Sequence, residues 1–207
     1  MRGKFITIEG TEGVGKTTNM AYVQAQLEAA GKTVVVTREP GGTAIGEKIR
    51  DLLLDARHQD LVDDTELLLM FAARAQHIHQ VIEPALKAGK WVLCDRFTDA
   101  TYAYQGGGRG IDSTRIAMLE AWVQGALRPD LILLLDIAVQ TGLTRAGQRS
   151  TPDRFEREAH SFFERVRNAY RARADNDPKH YRIIDAAQPL NVVQIHIRQA
   201  LSDMLAL

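Results

Sequence analysis

Five short runs of apolar residues recur along the chain, and within each run the apolar positions are nearly continuous instead of alternating. Continuous runs of this kind are typical of strands that helices cover on both faces, as in a parallel sheet. Longer segments with apolar residues at helical spacing lie between the runs. The predicted strands are 4–9, 33–38, 91–95, 131–137 and 181–185, and the predicted helices are 16–30, 44–55, 65–88, 112–127, 140–147, 156–174 and 190–206.

The alternation of strands and helices predicts an α/β fold with a doubly wound parallel sheet of five strands and helices on both faces. Glycines at 31 and 89 support two of the helix ends, because each directly follows a predicted helix and lies two residues before a predicted strand. The 207 residues suit a single domain, 1–207, with a full core. In such sheets ligands bind beyond the carboxyl ends of the strands, so polar residues there are the candidates for a site.

Composition limits the classes of partner. Lysine and arginine together number 26, and so do aspartate and glutamate, which gives a formal net charge of zero. Binding to nucleic acid or to an anionic membrane requires an excess of positive charge, so neither partner is expected. The longest apolar runs, 67–73 and 131–136, are far shorter than a membrane span. The one cysteine, Cys94, excludes an internal disulfide and favours a reducing compartment, so we expect a cytoplasmic protein with a buried, inert thiol.

A phosphate-binding loop follows the first predicted strand. The pattern G-x-x-x-x-G-K-[ST] is matched by Gly10, Gly15, Lys16 and Thr17. Its glycines let successive backbone N–H groups point at one anion, and the helix that follows adds its positive end. The Lys16 ammonium can reach the β- and γ-phosphates, and the Thr17 hydroxyl can bind Mg²⁺. The other residues of the loop that we expect to contact ATP are Glu12, Gly13, Val14 and Thr18.

The loop alone leaves three uses of the nucleotide open, namely a switch, a motor fuel and a phosphoryl donor. The chain contains no N-K-x-D segment, which guanine-specific switches share. A motor usually belongs to a larger chain. Whether the nucleotide is a donor depends on whether a second phosphorylated ligand binds.

Charged residues at two further strand ends indicate such a second ligand. Asp95 and Arg96 lie at the carboxyl end of the third predicted strand, where the carboxylate can hold a metal or its waters and the guanidinium can bind a phosphate. The alternative for this pair is a local salt bridge at a loop, worth about 1 kcal/mol or less if it is exposed. Arg38 ends the second predicted strand, before a rigid turn at 39–42. Together with Lys16 these arginines exceed the need of one triphosphate, whereas two phosphorylated ligands would need all three.

Helical spacing suggests a site for a flat ring. Leu67, Phe71 and Arg74 lie on one helical face at i, i+4 and i+7. Phe71 can stack on a ring while Arg74 bonds to its edge. The alternative is a core Phe71 with a solvated Arg74.

A second face carries hydrogen-bonding groups. If residues 101–105 are helical, Thr101, Tyr104 and Gln105 share a face. The Gln105 amide both donates and accepts, which suits the N3–H and O4 groups of a pyrimidine. The alternative is capping and turn chemistry before the GGGRG segment.

Four segments together resemble the bacterial thymidylate kinases, and the resemblance covers about the whole chain. They read IEGTEGVGKTT, TREPGGT, FAARAQH and DRFTDATYAYQGGGRG. The REPGG and DR…AYQG segments are highly specific in combination, whereas the phosphate loop is not. The resemblance implies a homodimeric nucleoside monophosphate kinase with a five-stranded parallel sheet, which makes dTDP from dTMP and ATP with Mg²⁺.

The resemblance also implies roles for individual residues. Phe71 stacks on thymine, Arg74 and Gln105 read its edge, and Tyr104 lies under the sugar and crowds out a 2′-hydroxyl. Glu12 reaches the 3′-hydroxyl side of dTMP, and the strand-end arginines hold its phosphate. The residues expected at dTMP are Glu12, Arg38, Glu39, Pro40, Phe71, Arg74, Arg96, Thr101, Tyr104 and Gln105.

Phosphoryl transfer needs positive charge on the migrating group. Some family members carry an arginine in the phosphate loop, but the four variable positions of this loop hold none. The segment 143–158 is rich in arginine and in loop-forming residues, and it resembles a lid that closes over ATP. The expected positions are Arg149 and Arg154 at the transferring group, Arg145 near the adenine and Arg157 in solvent.

The sequence therefore predicts an ATP-dependent dTMP kinase. Another nucleotide or small-molecule kinase and a nucleotide-dependent switch or ATPase are the alternatives. The expected metal ligands are Thr17 and Asp95, and the expected catalytic residues are Lys16, Asp95, Arg96, Arg149 and Arg154.

Overall fold

Five parallel strands form the centre of the structure, a computed structural model that describes residues 2–147 and 153–205. Neighbouring strands are parallel throughout, in the order β2-β3-β1-β4-β5. The sequence prediction of a five-stranded parallel sheet is confirmed, and each predicted strand agrees with the structure to within a residue at either end. The strands are β1 Phe5–Glu9, β2 Val34–Arg38, β3 Trp91–Asp95, β4 Leu131–Asp136 and β5 Tyr181–Asp185.

Nine α-helices and two π-helical segments occur in the described ranges. The predicted helix 65–88 is a continuous helical stretch in which the π-helical segment Ile78–Ile82 joins α3 to α4. The predicted start at 156 is wrong, because α8 begins at His160. The helices are α1 Lys16–Ala29, α2 Ala44–Leu54, α3 Asp63–His77, α4 Glu83–Lys87, α5 Thr98–Thr101, α6 Ser113–Val123, α7 Val139–Ala146, α8 His160–Asn176 and α9 Leu190–Leu205.

Residues 98–108 are helical, which meets the condition on which the shared face of 101–105 rested. α5 runs directly into the π-helical segment Tyr102–Gly108. π-Helical turns are rare and often mark functional sites. A Cβ on Gly107 would lie 2.6 Å from the Cβ of Ala169 and 2.9 Å from the Arg165 carbonyl oxygen. Gly107 therefore allows the backbone of this segment to pack in direct contact with α8.

Apolar clusters cover both faces of the sheet. On one face, side chains of α1 and α9 pack on β1 and β4, with Val23, Leu133 and Ile197 at their centre. On the other face, aromatic residues of α8 pack on β4, and a further cluster buries Cys94. The thiol is free and buried, as the sequence predicted, and burial raises its pKa. In the described part of the chain, no helix combines the length and apolar character needed to cross a membrane.

The parallel register brings three polar strand ends to one edge. Asp95 of β3 is paired with Ile8 of β1 and with Arg38 of β2. Glu9 follows Ile8 at the end of β1. The edge that carries the phosphate loop therefore also carries Arg38, Asp95 and Arg96.

Candidate active site

The phosphate loop joins β1 to α1 with three glycines at positive φ. Gly10, Gly13 and Gly15 have φ values of 135°, 72° and 88°. Gly15 caps α1 without a side-chain hydrogen bond, so the first N–H groups of the helix remain available to an anion. The Lys16 ammonium donates to the carbonyl oxygens of Gly10 and Thr11, each at 3.1 Å. It therefore lies against the phosphate-binding loop.

The loop is in backbone contact with α7. A Cβ on Gly13 would lie 1.9 Å from the carbonyl oxygen of Gly142, and a Cβ on Gly142 would lie 2.6 Å from that of Glu12. Only glycine allows this approach. The helix from which the predicted lid extends is thus fixed directly to the phosphate loop.

Lys16 lies among charges of both signs. Burial, followed by the positive charge of Arg96, lowers the pKa of Lys16 to about 8, while Asp95, Glu12 and Glu9 oppose the shift. An anionic phosphate beside the ammonium would favour its charged form. The ammonium is therefore better suited to a phosphate-bound loop than to an empty one.

The residues predicted for Mg²⁺ have the chemistry that this ion requires. The Oδ1 atom of Asp95 is buried and has no hydrogen-bond partner in the described chain. Thr17 is exposed on the first turn of α1. In residues 2–147 and 153–205, no three His, Cys, Asp or Glu side chains converge to hold a metal. Mg²⁺ usually takes one or two protein oxygens together with water and substrate phosphates, which fits this sparse set.

A cavity adjoins the loop and extends between the turn at 39–42, α3 and the helical segment 98–108. We call it the acceptor cavity. Arg38 and Phe71, which the sequence assigned to dTMP, do not line it. The assigned residues that do line it are Glu12, Glu39, Pro40, Arg74, Arg96, Thr101, Tyr104 and Gln105.

Arg96 connects the phosphate loop with this cavity. Its Nη2 donates to Oε1 of Glu12 at 2.8 Å, and the Tyr104 hydroxyl donates to Oε2 of Glu12 at 2.5 Å. The Arg96 side chain is only 16% exposed, so the alternative of an exposed salt bridge at this loop is wrong. Arg96 has a φ of 67°, a conformation that costs free energy in a non-glycine residue and is concentrated at functional sites.

Glu9 is a buried acid beneath the loop that the sequence analysis missed. Its carboxylate accepts from the Phe97 N–H at 2.7 Å and from the Tyr170 hydroxyl at 2.9 Å. Burial, and then the charge of Asp99, raises the pKa of Glu9 to about 8. The signal was an acid that ends an otherwise apolar strand at its carboxyl edge.

Arg74 is buried rather than solvated, so the alternative reading of this residue is wrong. Its Nε donates to Oε2 of Glu39 at 2.7 Å, and its Nη2 donates to Oγ1 of Thr101 at 2.9 Å. Burial disfavours the Glu39 carboxylate, but Arg74 and the hydrogen bond with His77 outweigh it, so the pKa of Glu39 is lowered. The remaining nitrogen, Nη1, is buried without a partner in the described chain, and it is available to a ligand acceptor.

Phe71 lies behind Arg74 rather than on the cavity wall. It is 2% exposed and packs with Leu67 and Ile116. The Arg74 guanidinium covers its ring at 4.8 Å from the centroid. The stacking of Phe71 on a base stays a prediction.

Arg50, and not the predicted Arg38, is the arginine near the turn that lines the acceptor cavity. Arg38 is half-exposed and donates to Glu47 at 2.6 Å. Arg50, which the sequence analysis missed, lines the acceptor cavity and donates to the Pro40 carbonyl at 2.9 Å. Burial, and then the charge of Arg38, lowers the pKa of Arg50. No local motif marks Arg50, because only the packing of α2 against the turn brings it to the cavity.

The described arginines of segment 143–158 lie in different surroundings. Arg145 donates to the Ala186 carbonyl at 3.1 Å and lines a second cavity beside Val14 and Thr18. Its place near the adenine stays a prediction. Arg157 is exposed. Arg149 lies outside the described residues, so its role stays a prediction.

Arg154 does not have the position expected from the sequence. Its Nε donates to the Leu53 carbonyl at 2.8 Å, and its Nη2 donates to Oε2 of Glu66 at 2.5 Å. The residue is 8% exposed. A guanidinium held in this way supports the packing of α2 and α3, so its expected place at the transferring phosphoryl group is corrected to a buried ion pair.

A phosphate loop at the end of β1, beside a cavity whose lining arginines include Arg96 directly after β3, defines a P-loop kinase of the nucleoside monophosphate kinase type. The thymidylate kinase family model matches residues 8–197. The thymidylate kinase of Pseudomonas savastanoi pv. phaseolicola is 58% identical over 207 residues, covering 100% of this chain and 99% of that protein. That of Alcanivorax borkumensis is 53% identical over 206 residues, with coverages of 100% and 99%. The chain belongs to the thymidylate kinase family.

A solved structure agrees with this membership. The crystal structure of thymidylate kinase from Ehrlichia chaffeensis superposes with a TM-score of 0.78 at 34% sequence identity. The match covers 98% of this chain and 99% of that chain.

Proposed function

We propose that the protein transfers the γ-phosphoryl group of ATP to the phosphate of dTMP, forming ADP and dTDP. The observation that carries the proposal is the ion pair of Arg96 with Glu12, because it joins the phosphate loop to a second cavity lined by arginine. Membership of the thymidylate kinase family supports dTMP as the acceptor.

In the proposed reaction, a phosphate oxygen of dTMP attacks the γ-phosphorus and the bond to the β,γ-bridging oxygen breaks. Charge spreads over the three oxygens of the migrating group, where Lys16 and Arg96 supply positive charge. When bound through Thr17 and Asp95, Mg²⁺ would neutralise further charge on the phosphates.

The other end of the acceptor cavity offers groups for the base and the sugar. The unpaired Nη1 of Arg74 and the amide of Gln105 provide hydrogen bonds, and both residues line the cavity. The ring of Tyr104 forms a wall beside Glu12, consistent with a site for the deoxyribose. Proximity and orientation of the two phosphates then account for much of the rate.

The test is a coupled ADP-release assay with ATP, Mg²⁺ and each common ribo- and deoxyribonucleoside monophosphate in turn, with the products separated by chromatography. We expect dTMP to be the preferred acceptor and dTDP to form in a 1:1 ratio with ADP. Equal ADP release without any acceptor would support an ATPase or switch instead. Preference for another monophosphate would support a different nucleotide kinase.

We also propose that the enzyme works as a homodimer in the cytoplasm. Large apolar side chains are exposed on two helices that pack together, with Leu68 on α3 at 56% and Met118 and Trp122 on α6 at 65% and 82%. Met118 and Trp122 share a face through their i, i+4 spacing, and such patches mark interaction sites. We expect a dimer by sedimentation and a monomer after Trp122→Lys. A monomeric wild-type protein contradicts this proposal.

A further inference from the structure

A buried carboxylate lies directly behind the base end of the acceptor cavity. Glu66 of α3 is fully buried and does not line the cavity. Its Oε1 accepts from Nε2 of Gln105 at 2.8 Å and from Nε of Arg109 at 3.3 Å. Its Oε2 accepts from Nη2 of Arg109 at 3.2 Å and from Nη2 of Arg154 at 2.5 Å.

This arrangement determines which way the Gln105 amide points. An ionised carboxylate only accepts hydrogen bonds, so Glu66 can face the NH₂ group of Gln105 but not its carbonyl oxygen. The oxygen is thereby turned away from Glu66. It accepts no hydrogen bond from the described residues, and Gln105 itself lines the acceptor cavity. At this position Gln105 therefore presents a hydrogen-bond acceptor, its side-chain oxygen, to the cavity, and not its NH₂ donor.

We propose that Glu66 is a positioning residue that selects the base by fixing the amide of Gln105. This inference rests on the proposed function. Thymine carries a proton on N3, which the fixed oxygen can accept. Cytosine carries a lone pair on N3, so the same oxygen meets a second acceptor and both groups lose hydrogen bonding. An unrestrained glutamine could turn its amide over and serve either base.

The substitution Glu66→Gln reverses this selection. The two guanidinium groups would take the single oxygen of the new amide, which leaves its NH₂ group facing Gln105. Gln105 must then turn its oxygen inward and its own NH₂ group toward the cavity. We expect the ratio of kcat/KM for dTMP to that for dCMP to fall about tenfold or more, as a mispaired buried polar group predicts.

A double-mutant cycle separates positioning from general support. In a Gln105→Leu background there is no amide to turn, so adding Glu66→Gln should leave the dTMP:dCMP ratio unchanged. Arg109→Gln is the matched control, since it weakens the same cluster but keeps the Glu66–Gln105 contact. It should lower the melting temperature without changing the ratio. A loss of selectivity that persists in the Gln105→Leu background, or that Arg109→Gln reproduces, overturns the proposal.

Two further measurements keep the test decisive if Glu66→Gln folds poorly. Glu66→Gln combined with Arg154→Gln buries one less uncompensated charge and should show the same fall in the ratio. In the wild type, dTMP methylated on N3 lacks the donor and should bind about tenfold more weakly or worse than dTMP. Equal binding of the two nucleotides overturns the inference. A wild-type enzyme that uses no monophosphate would instead contradict the proposed function.

Discussion

Arg96 at the end of β3 and Glu12 in the phosphate loop form an ion pair at 2.8 Å, with side chains only 16% and 13% exposed. Sequence reasoning assigned Glu12 to both the ATP and the dTMP sets. The pair shows how one residue can serve both, because the carboxylate belongs to the loop while the guanidinium faces the acceptor cavity. Breaking the pair should therefore affect one substrate more than the other.

The first prediction concerns Glu12→Gln. The amide keeps a hydrogen-bond acceptor for Tyr104 but loses the charge that orients Arg96, so kcat/KM for dTMP should fall about tenfold while the KM for ATP stays unchanged. Steady-state kinetics with each substrate varied will show this. The exposed Glu28→Gln on α1 is the control. A matching rise in the KM for ATP would assign Glu12 to the donor side alone.

The second prediction concerns Lys16. Lys16→Ala removes a charge that acts mainly on the transferring group, so turnover should fall about a hundredfold or more, which corresponds to ~3 kcal/mol. Affinity for dTMP, measured by calorimetry, should remain within a few-fold of the wild type. Lys90→Ala, exposed beyond the amino end of β3, should leave both quantities unchanged. Collapse of dTMP binding in Lys16→Ala would move Lys16 to the acceptor site.

The third prediction separates the ring of Tyr104 from its hydroxyl. Tyr104→Ala opens space beside the sugar, so the preference for dTMP over ribothymidine monophosphate should shrink about tenfold. Tyr104→Phe loses the hydrogen bond to Glu12 but keeps the ring. It should therefore keep the sugar preference. The comparison of kcat/KM for the two nucleotides decides, and an unchanged preference in Tyr104→Ala removes this residue from sugar selection.

The fourth prediction contrasts three arginines of segment 143–158. Arg154 is buried against Glu66, so Arg154→Ala should lower the free energy of unfolding by about 3 kcal/mol. Where the variant is folded, it should largely keep kcat. Arg149→Ala should lower kcat and kcat/KM equally without a loss of stability, since a transition-state contact behaves in this way.

Arg157→Ala is the control for both, because Arg157 is exposed. It should change the unfolding free energy by no more than about 1 kcal/mol, the usual limit for an exposed charged side chain. Denaturant melts and kinetic constants for all three variants are needed. A stable Arg154→Ala with a strongly reduced kcat would restore Arg154 to the transferring group.

The fifth prediction concerns the pKa of Glu9, which burial raises from 4.5 to about 8. The folded state holds the proton more tightly than the unfolded state, so this residue makes stability fall as pH rises from about 4.5 to about 8. The slope for one group is at most about 1.4 kcal/mol per pH unit. Glu9→Gln removes the titration, so the stability of the variant relative to the wild type should rise with pH across this window.

Urea melts at several pH values measure this difference. Glu28→Gln, which is exposed, should run parallel to the wild type. A constant difference between Glu9→Gln and the wild type from pH 4.5 to 8 contradicts the raised pKa.

The fold and the phosphate loop could be predicted because their signals are local. Buried parallel strands need continuous apolar runs, and the strand Leu131–Asp136 shows one directly. The loop needs glycines at fixed spacing before a helix, and Gly10, Gly13 and Gly15 all have the positive φ that this requires. The start of α8 was predicted four residues too early. The π-helical turns were missed because they change the hydrogen bonding within a helix without an apolar period of their own.

Much of the candidate site could not be predicted in this way. Glu9 and Tyr170 are 161 residues apart in sequence, and Arg154 and Glu66 are 88 apart. The pattern around Arg154 is typical of an exposed lid, yet the packing of α2 and α3 provides a buried carboxylate for it. Arg50 similarly has no motif and reaches the cavity only through the placement of α2.

The sequence by itself determined the sheet, the helices around it, the phosphate loop and the family. These depend on interactions between residues that are close in the chain, so the spacing of residues along the sequence is enough to predict them. Only the tertiary structure decided which charges meet. The ion pair of Glu12 with Arg96, and the carboxylate of Glu66 between Gln105 and Arg154, arise when parallel strands and packed helices bring distant residues into low-dielectric surroundings. A charge buried in such surroundings is destabilising unless it is paired, and no local sequence pattern predicts which residue pairs with it.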